Sequence, residues 1–204
     1  MRARRRHWQE AGTMRLRLKG PMSAVGAIFA LLAYVGDQGF KFMMLVIYDM
    51  DSWPYRRIPV TSFFEIVLAW NRGISYGLFP QHTDAGRWLL IGISVITVIG
   101  LWLWMATFRR PLPAAGVGLI IGGALANVTD RILHGAVADF FWFHVGHFSW
   151  YVFNLADVAI VVGVLMVLYD HFLGEGREEA RAAKAAGPPA GRGGDADGGD
   201  AAGP

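Results

Sequence analysis

Asp139 stands in Val137-Ala-Asp-Phe-Phe-Trp-Phe143, one carboxylate among six apolar residues. Asp157 closes Phe153-Asn-Leu-Ala-Asp157, at the head of another apolar run. Neither has a basic neighbour in sequence, and burying a lone ionised carboxylate costs several kcal/mol or forces its protonation. Brought together, two such carboxyls share one proton, because like charges ~3 Å apart do not both ionise. One then acts as a base toward water and the other as an acid toward a leaving amine. That is aspartic-protease chemistry, which needs no Ser, Cys or metal. Asn127 and Asn154 carry amides suited to orienting such a pair or the scissile carbonyl.

Other polar residues fall into register with these. Asp37 and Lys41 are i, i+4 on one helix face. Gly123, Asn127, Asp130 and Arg131 follow i, i+4, i+7, i+8 on another, and Asn154 and Asp157 are i, i+3. Ionisable groups in apolar helices are costly and face a bundle interior or a wet cavity. Two accounts of the cluster stay open at this point: a functional site, or ion pairs Asp37–Lys41 and Asp130–Arg131 that knit helices together. Other chemistries are compatible with single residues. His134, His144 and His147 lie near Asp139 and resemble a metal-hydrolase set, but no His-Glu-x-x-His pattern is present. Ser75 and Lys41 would make a Ser–Lys hydrolase if folding paired them. Intramembrane acids also serve proton-coupled carriers, although a carrier places polar groups on both sides of its midplane.

The elements that position these residues follow from composition. The 204-residue chain is 54% hydrophobic, with eight Trp, 13 Phe and no Cys. Its mean hydropathy is +0.35. Roughly 45–50% apolar is usual for soluble domains. Without Cys, a disulfide framework, a thiol nucleophile and a Cys-ligated metal are excluded. Four segments are long and apolar enough to span a bilayer: residues 21–47, 88–108, 111–130 and 154–173. The first is too long, and too charged in its second half, to read as a signal peptide. The expected fold is an all-α membrane protein of four transmembrane helices with a small extracytoplasmic β-rich loop region. Residues 58–70, rich in β-branched and aromatic side chains, are expected to form short strands.

Residues 1–20 carry seven Lys/Arg against one acid and abut an apolar run. This predicts a membrane-flanking cytoplasmic arm rather than a nucleic-acid-binding one. Residues 174–204, rich in Ala, Gly, Asp and Arg, read as a disordered cytoplasmic tail. Arg109 and Arg110 join the second and third helices, whereas the 132–153 loop has no Lys or Arg. Both termini are therefore expected in the cytoplasm and both long loops outside. All the polar groups above then fall at the outer face. Trp88, Trp142 and Trp150 suit an interfacial belt, and Trp53, Phe63, Phe64 and Trp70 would let the outer loop rest on the bilayer.

The chain resembles the lipoprotein signal peptidases (signal peptidase II). The matching stretches are Asp37-Gln-Gly-Phe-Lys41, Asn71-Arg-Gly-Ile-Ser-Tyr-Gly77, Gly122-Gly-Ala-Leu-Ala-Asn-Val-Thr-Asp-Arg131, Val137-Ala-Asp139 and Phe153-Asn-Leu-Ala-Asp157. They occur in that order over about residues 22–173, and Ala126 stands where Gly is expected. The resemblance implies an inner-membrane aspartic endopeptidase. It would cut the signal peptide from a prolipoprotein just before the diacylglyceryl-modified cysteine. Asp139 and Asp157 match the catalytic aspartates. Asp37, Lys41, Asn71, Gly73, Asn127, Asp130, Arg131, Asn154 and Ala156 match supporting or substrate-binding positions, with Arg131 near the substrate's lipid or backbone carbonyls. No cofactor, metal or nucleic acid is implied. The expected partners are lipidated prolipoproteins and membrane lipids, around a monomer.

Overall fold

A computed structural model of the chain describes residues 18–54, 56–73 and 84–174. The basic arm up to residue 17, Ser75 with the rest of its motif to Gly77, and the tail from residue 175 lie outside the described residues. The chain divides into two compact units, residues 1–168 and 169–204, and everything that bears on the site belongs to the first.

Four helices are long and apolar enough to cross a membrane. Helix α1 spans Ser23–Phe42 and continues through a wider π-helical turn, Met43–Ile47. Helix α2 spans Asp84–Met105, α3 Pro111–His134 and α4 Leu155–Tyr169, followed by a π-helical turn at Asp170–Gly174. Two of the differences from the hydropathy reading have a local physical cause. Helix α2 starts four residues before Trp88, because a charged first turn that hydropathy rejects suits a helix N-terminus: Asp84 Oδ1 lies 3.3 Å from Arg87 Nη2. Helix α3 runs past Asp130 and Arg131 to His134. Pro111 opens it, and Gly135, at φ 76°, ends it by donating its N–H to Arg131 O at 3.2 Å. Asp130 and Arg131 thus sit on a regular helical turn that aims them.

Small residues set how closely the helices pack. A Cβ on Gly122 of α3 would collide with Ala30 O of α1. A Cβ on Gly123 would meet Ala156 O of α4 at 2.5 Å. Adjacent glycines therefore seat α3 against two neighbours at once, as close packing in membranes requires. Outward faces are apolar and uncovered, including Leu31 and Leu32 on α1, Leu89 and Ile96 on α2, and Val161 and Leu165 on α4. Gly123→Val is expected to push α4 off α3, lowering the thermal midpoint in detergent by several degrees and displacing Asp157. Thermal unfolding beside an activity assay checks this, and an unchanged midpoint would show that the contact is not limiting.

The sheet is antiparallel, with strands in chain order: β1 Arg57–Pro59, β2 Phe64–Asn71, β3 Val137–Val145 and β4 Phe148–Ser149. Strands β1 and β2 fall where short strands were expected. Strand β3 corrects the reading of residues 132–153 as loop. Its register with β2 pairs Ala69 with Asp139 and Asn71 with Val137, beyond an irregularity between Ile66 and Ala69. Under the sheet lies a core of Met44, Met50, Leu68, Ala138 and Phe140, which joins it to the end of α1. A second core of Met105, Ala114, Val117 and Ile121 lies within the helices.

The aromatic residues divide differently from the expectation. Phe64 stacks on Phe143 at 4.6 Å, Trp70 lies on His134 at 5.3 Å, and Trp53 packs against the Met44–Phe140 core. Of the loop aromatics expected at a bilayer surface, Phe63 is the exposed one, joined by Phe143, Phe148 and Trp150. Trp88 is also exposed, whereas Trp142 is part-buried and donates to Ser149 Oγ at 2.7 Å.

Candidate active site

The C-terminal ends of α1 and α3, the N-terminus of α4 and the β2–β3 pair bring the polar residues to one place. Asp37, Lys41, Asp130, Asp139 and Asn154 are each at most 3% exposed there. Asp139 and Asp157 line one cavity of about 280 Å³, together with Asn71, Asn127 and Arg131.

Asparagine amides hold both carboxylates. Asp139 accepts from Asn71 Nδ2 at 3.1 Å on one oxygen and from Asn154 Nδ2 at 2.6 Å on the other. Asp157 accepts from Asn127 Nδ2 at 3.2 Å and from the Asn154 backbone N–H at 3.3 Å. Each amide oxygen is itself engaged, which fixes which way each NH2 points. Asn71 Oδ1 accepts from Gly73 N–H at 3.0 Å, Asn127 Oδ1 from Asn154 Nδ2 at 3.2 Å, and Asn154 Oδ1 from Asp157 N–H at 2.9 Å. The last bond caps the start of α4, so a single side chain begins the helix and binds the opposite carboxylate.

Behind this pair is a buried charged group. Lys41 Nζ lies 2.7 Å from Asp37 Oδ2 and 2.6 Å from Asp130 Oδ2. Asp130 pairs with Lys41 across the helices, not with Arg131 as the ion-pair alternative had it. Each acid also takes a backbone proton donor. Asp37 Oδ1 accepts from Ala156 N–H at 2.9 Å, and Asp130 Oδ2 from Ala138 N–H at 3.1 Å. Ala156 precedes Asp157 and Ala138 precedes Asp139. One lysine and two carboxylates therefore fix the main chain immediately before both aspartates. Gln38 completes the group by donating to Asp130 Oδ1 at 2.8 Å and Ala126 O at 3.3 Å. Gln38 is a member of the site that was not singled out from the sequence. Its signal was an amide inside an apolar helix, between Asp37 and Lys41.

Arg131 donates to Asn127 O at 3.2 Å and to Gly73 O at 3.0 Å, tying the segment after β2 to α3. The structure thus brings together all eleven residues singled out from the sequence, Ala156 and Gly73 through their backbones. The histidines separate: His134 lies on Trp70, His144 Nε2 is 3.1 Å from Glu65 Oε1, and His147 is exposed in the β3–β4 turn. Lys41 is committed to two carboxylates, which leaves the Ser–Lys pairing without its base.

Burial pushes the Asp139 carboxyl up from an ordinary 3.8 to about 7, and the Asp157 carboxylate adds to the rise. The asparagine bonds and the Lys41 charge pull the other way without cancelling it. Two carboxyls on one cavity, one of them half-protonated near neutrality, can hold a single proton between them.

The sequence model of the family described as Signal peptidase (SPase) II matches residues 29–173. A lipoprotein signal peptidase of Beijerinckia indica is 46% identical over 153 residues, covering 74% of this chain and 89% of that protein. One from Nitrobacter hamburgensis is 47% identical over 152 residues, covering 72% and 92%. Two solved structures of bacterial membrane enzymes share the fold. One has a TM-score of 0.63 at 20% identity, covering 77% of this chain and 98% of that one. The other has a TM-score of 0.62 at 22% identity, covering 76% and 93%.

Proposed function

The chain belongs to the signal peptidase II family, and from that premise we propose that Asp139 and Asp157 are its catalytic pair. The protein is a membrane signal peptidase of the lipoprotein-processing class, with multiple membrane-spanning helices. The aspartic reading rests on one observation: two carboxyls line the same cavity, each held by asparagine amides that share Asn154. The substrate is a prolipoprotein, cut before its diacylglyceryl-modified cysteine. The ionised carboxyl takes a proton from a water, whose oxygen attacks the scissile carbonyl. The protonated carboxyl hydrogen-bonds the developing oxyanion. Collapse of the tetrahedral species expels the cysteine amine, which receives the proton, and the pair returns to one proton.

The domain boundaries at residues 20 and 173, cytoplasmic termini, a site on the periplasmic side of the inner membrane, contact with lipids and a monomeric state complete the reading. Its support is the charge bias of the short flanks and the gathering of polar groups at one end of the bundle. A carrier would need groups on both sides, and the family is a protease family.

The test is cleavage of a diacylglyceryl-modified prolipoprotein by purified protein in detergent, from pH 5 to 9, beside its unlipidated precursor. The lipidated substrate is expected to be cut and the precursor spared. The alkaline limb of kcat/KM belongs to loss of the shared proton. It should bend near pH 7 and fall about tenfold per pH unit above it. A rate that stays flat through pH 9 would remove the one-proton pair.

A further inference from the structure

Helix α2 carries none of the motif residues, yet it forms one wall of the cavity through Leu90, Ile93 and Ser94, with Ile160 of α4 beside them. Three of these are apolar. Ser94 is the exception, and its hydroxyl has no partner among the described residues. That is unusual for a hydroxyl in an apolar helix, which commonly bonds back one turn. Thr97, one turn further along α2, does so, donating to Ile93 O at 2.9 Å. Ser94 is part-buried and borders the same cavity as Asp139 and Asp157.

An extended peptide crossing this cavity presents main-chain groups to both sides. Toward the carboxyls it finds Asn71, Asn127 and Arg131, each of which already donates to a carboxylate or a main-chain carbonyl and keeps further N–H donors on that side. Toward α2 it finds hydrocarbon and one free hydroxyl. A peptide carbonyl turned to that wall and screened from water would lose its hydrogen bond unless Ser94 supplied one, and that loss is costly. We propose that the Ser94 hydroxyl donates a hydrogen bond to a main-chain carbonyl of the bound signal peptide beside the scissile bond, as a substrate-positioning residue on α2. This rests on the peptidase reading of the cavity. The contact is made to the bound substrate before chemistry, so it acts on KM rather than kcat.

The experiment compares wild type, Ser94→Ala and Ser94→Leu on a diacylglyceryl-modified prolipoprotein, with thermal midpoints measured alongside. Ser94→Ala is expected to raise KM about three- to tenfold and leave kcat and the midpoint unchanged. Ser94→Leu fills the α2 side of the cavity and should cut kcat/KM by more than about tenfold, again at wild-type midpoint, since Ser94 borders the cavity and is not part of the helix core. KM and kcat within about twofold of wild type for Ser94→Ala overturn the proposal, as does full activity of Ser94→Leu. So does a loss that tracks the midpoint alone. If wild type itself does not cut the lipidated substrate, the peptidase reading fails and this one falls with it. Active wild type with unaffected variants sinks only the role of Ser94.

Discussion

Asp139→Asn and Asp157→Asn are each expected to lower cleavage of a diacylglyceryl-modified prolipoprotein by about 10³-fold or more, with the fold retained. Asparagine keeps the shape of the side chain, but with one acceptor oxygen it keeps only one of the two bonds each aspartate accepts. It cannot hold or release the shared proton. Stability separates this from a structural defect. The folded-state value of Asp139 is raised from 3.8 to about 7, so in that window the folded protein binds more protons than the unfolded chain. Stability from this group is therefore greatest below about pH 4 and declines as pH rises toward 7. Asp139→Asn removes that slope. The variant should gain stability relative to wild type between pH 5 and 8 while remaining inactive throughout. Thermal midpoints at the two pH values, beside single-turnover cleavage, decide the matter. Near-full activity in either variant would make that aspartate structural.

The second large effect is at Lys41. Lys41→Met leaves Asp37 and Asp130 without a countercharge, bridged by the neutral Gln38 amide alone. Removing one partner of a buried charged group costs about 3–5 kcal/mol. For a chain of this size that is a drop of roughly 10 °C in the thermal midpoint. Activity should fall further than stability predicts. The same two carboxylates hold Ala138 N–H and Ala156 N–H. A misplacement of about 1 Å at the reacting groups costs about 100-fold. Adding Asp37→Asn and Asp130→Asn to Lys41→Met removes the uncompensated charge but keeps an oxygen facing each N–H. Most of the stability should return, with part of the activity. If the triple variant is no more stable than Lys41→Met, charge is not the source of the loss.

The membrane helices were legible because a span of apolar residues leaves its mark within a single segment. The site residues were legible one by one, since carboxylates, amides and a lysine stand out in such segments. Their partners were not. Lys41 meets Asp130 from another helix, and Asn71 meets Asp139 across a strand pair whose register is irregular between Ile66 and Ala69. No local pattern encodes those encounters. Strand β3 was missed for a related reason. Val137, Ala138, Asp139 and Phe140 are all buried, so the alternation that reveals a half-exposed strand is absent. Gln38 has only a weak signal, an amide between Asp37 and Lys41 in an apolar helix, and Ser94 has none. Only the cavity and the charged group they face give them meaning.

The charged group behind the dyad also dictates an order of assembly. Its members come from the first and third helices, and one of the backbone protons they hold comes from the fourth. A nascent chain that has inserted three helices has Lys41 and Asp130 available to each other, but Asp37 still lacks Ala156 and the cavity lacks Asp157. The ribosome delivers the second carboxylate, its cap and its anchor together, within the four residues from Asn154 to Asp157. With Asp139 and Asp157 as the proposed pair, proteolytic competence is expected late in synthesis and in one step. On that proposal, a copy that stops short of Asn154 is expected to be inert.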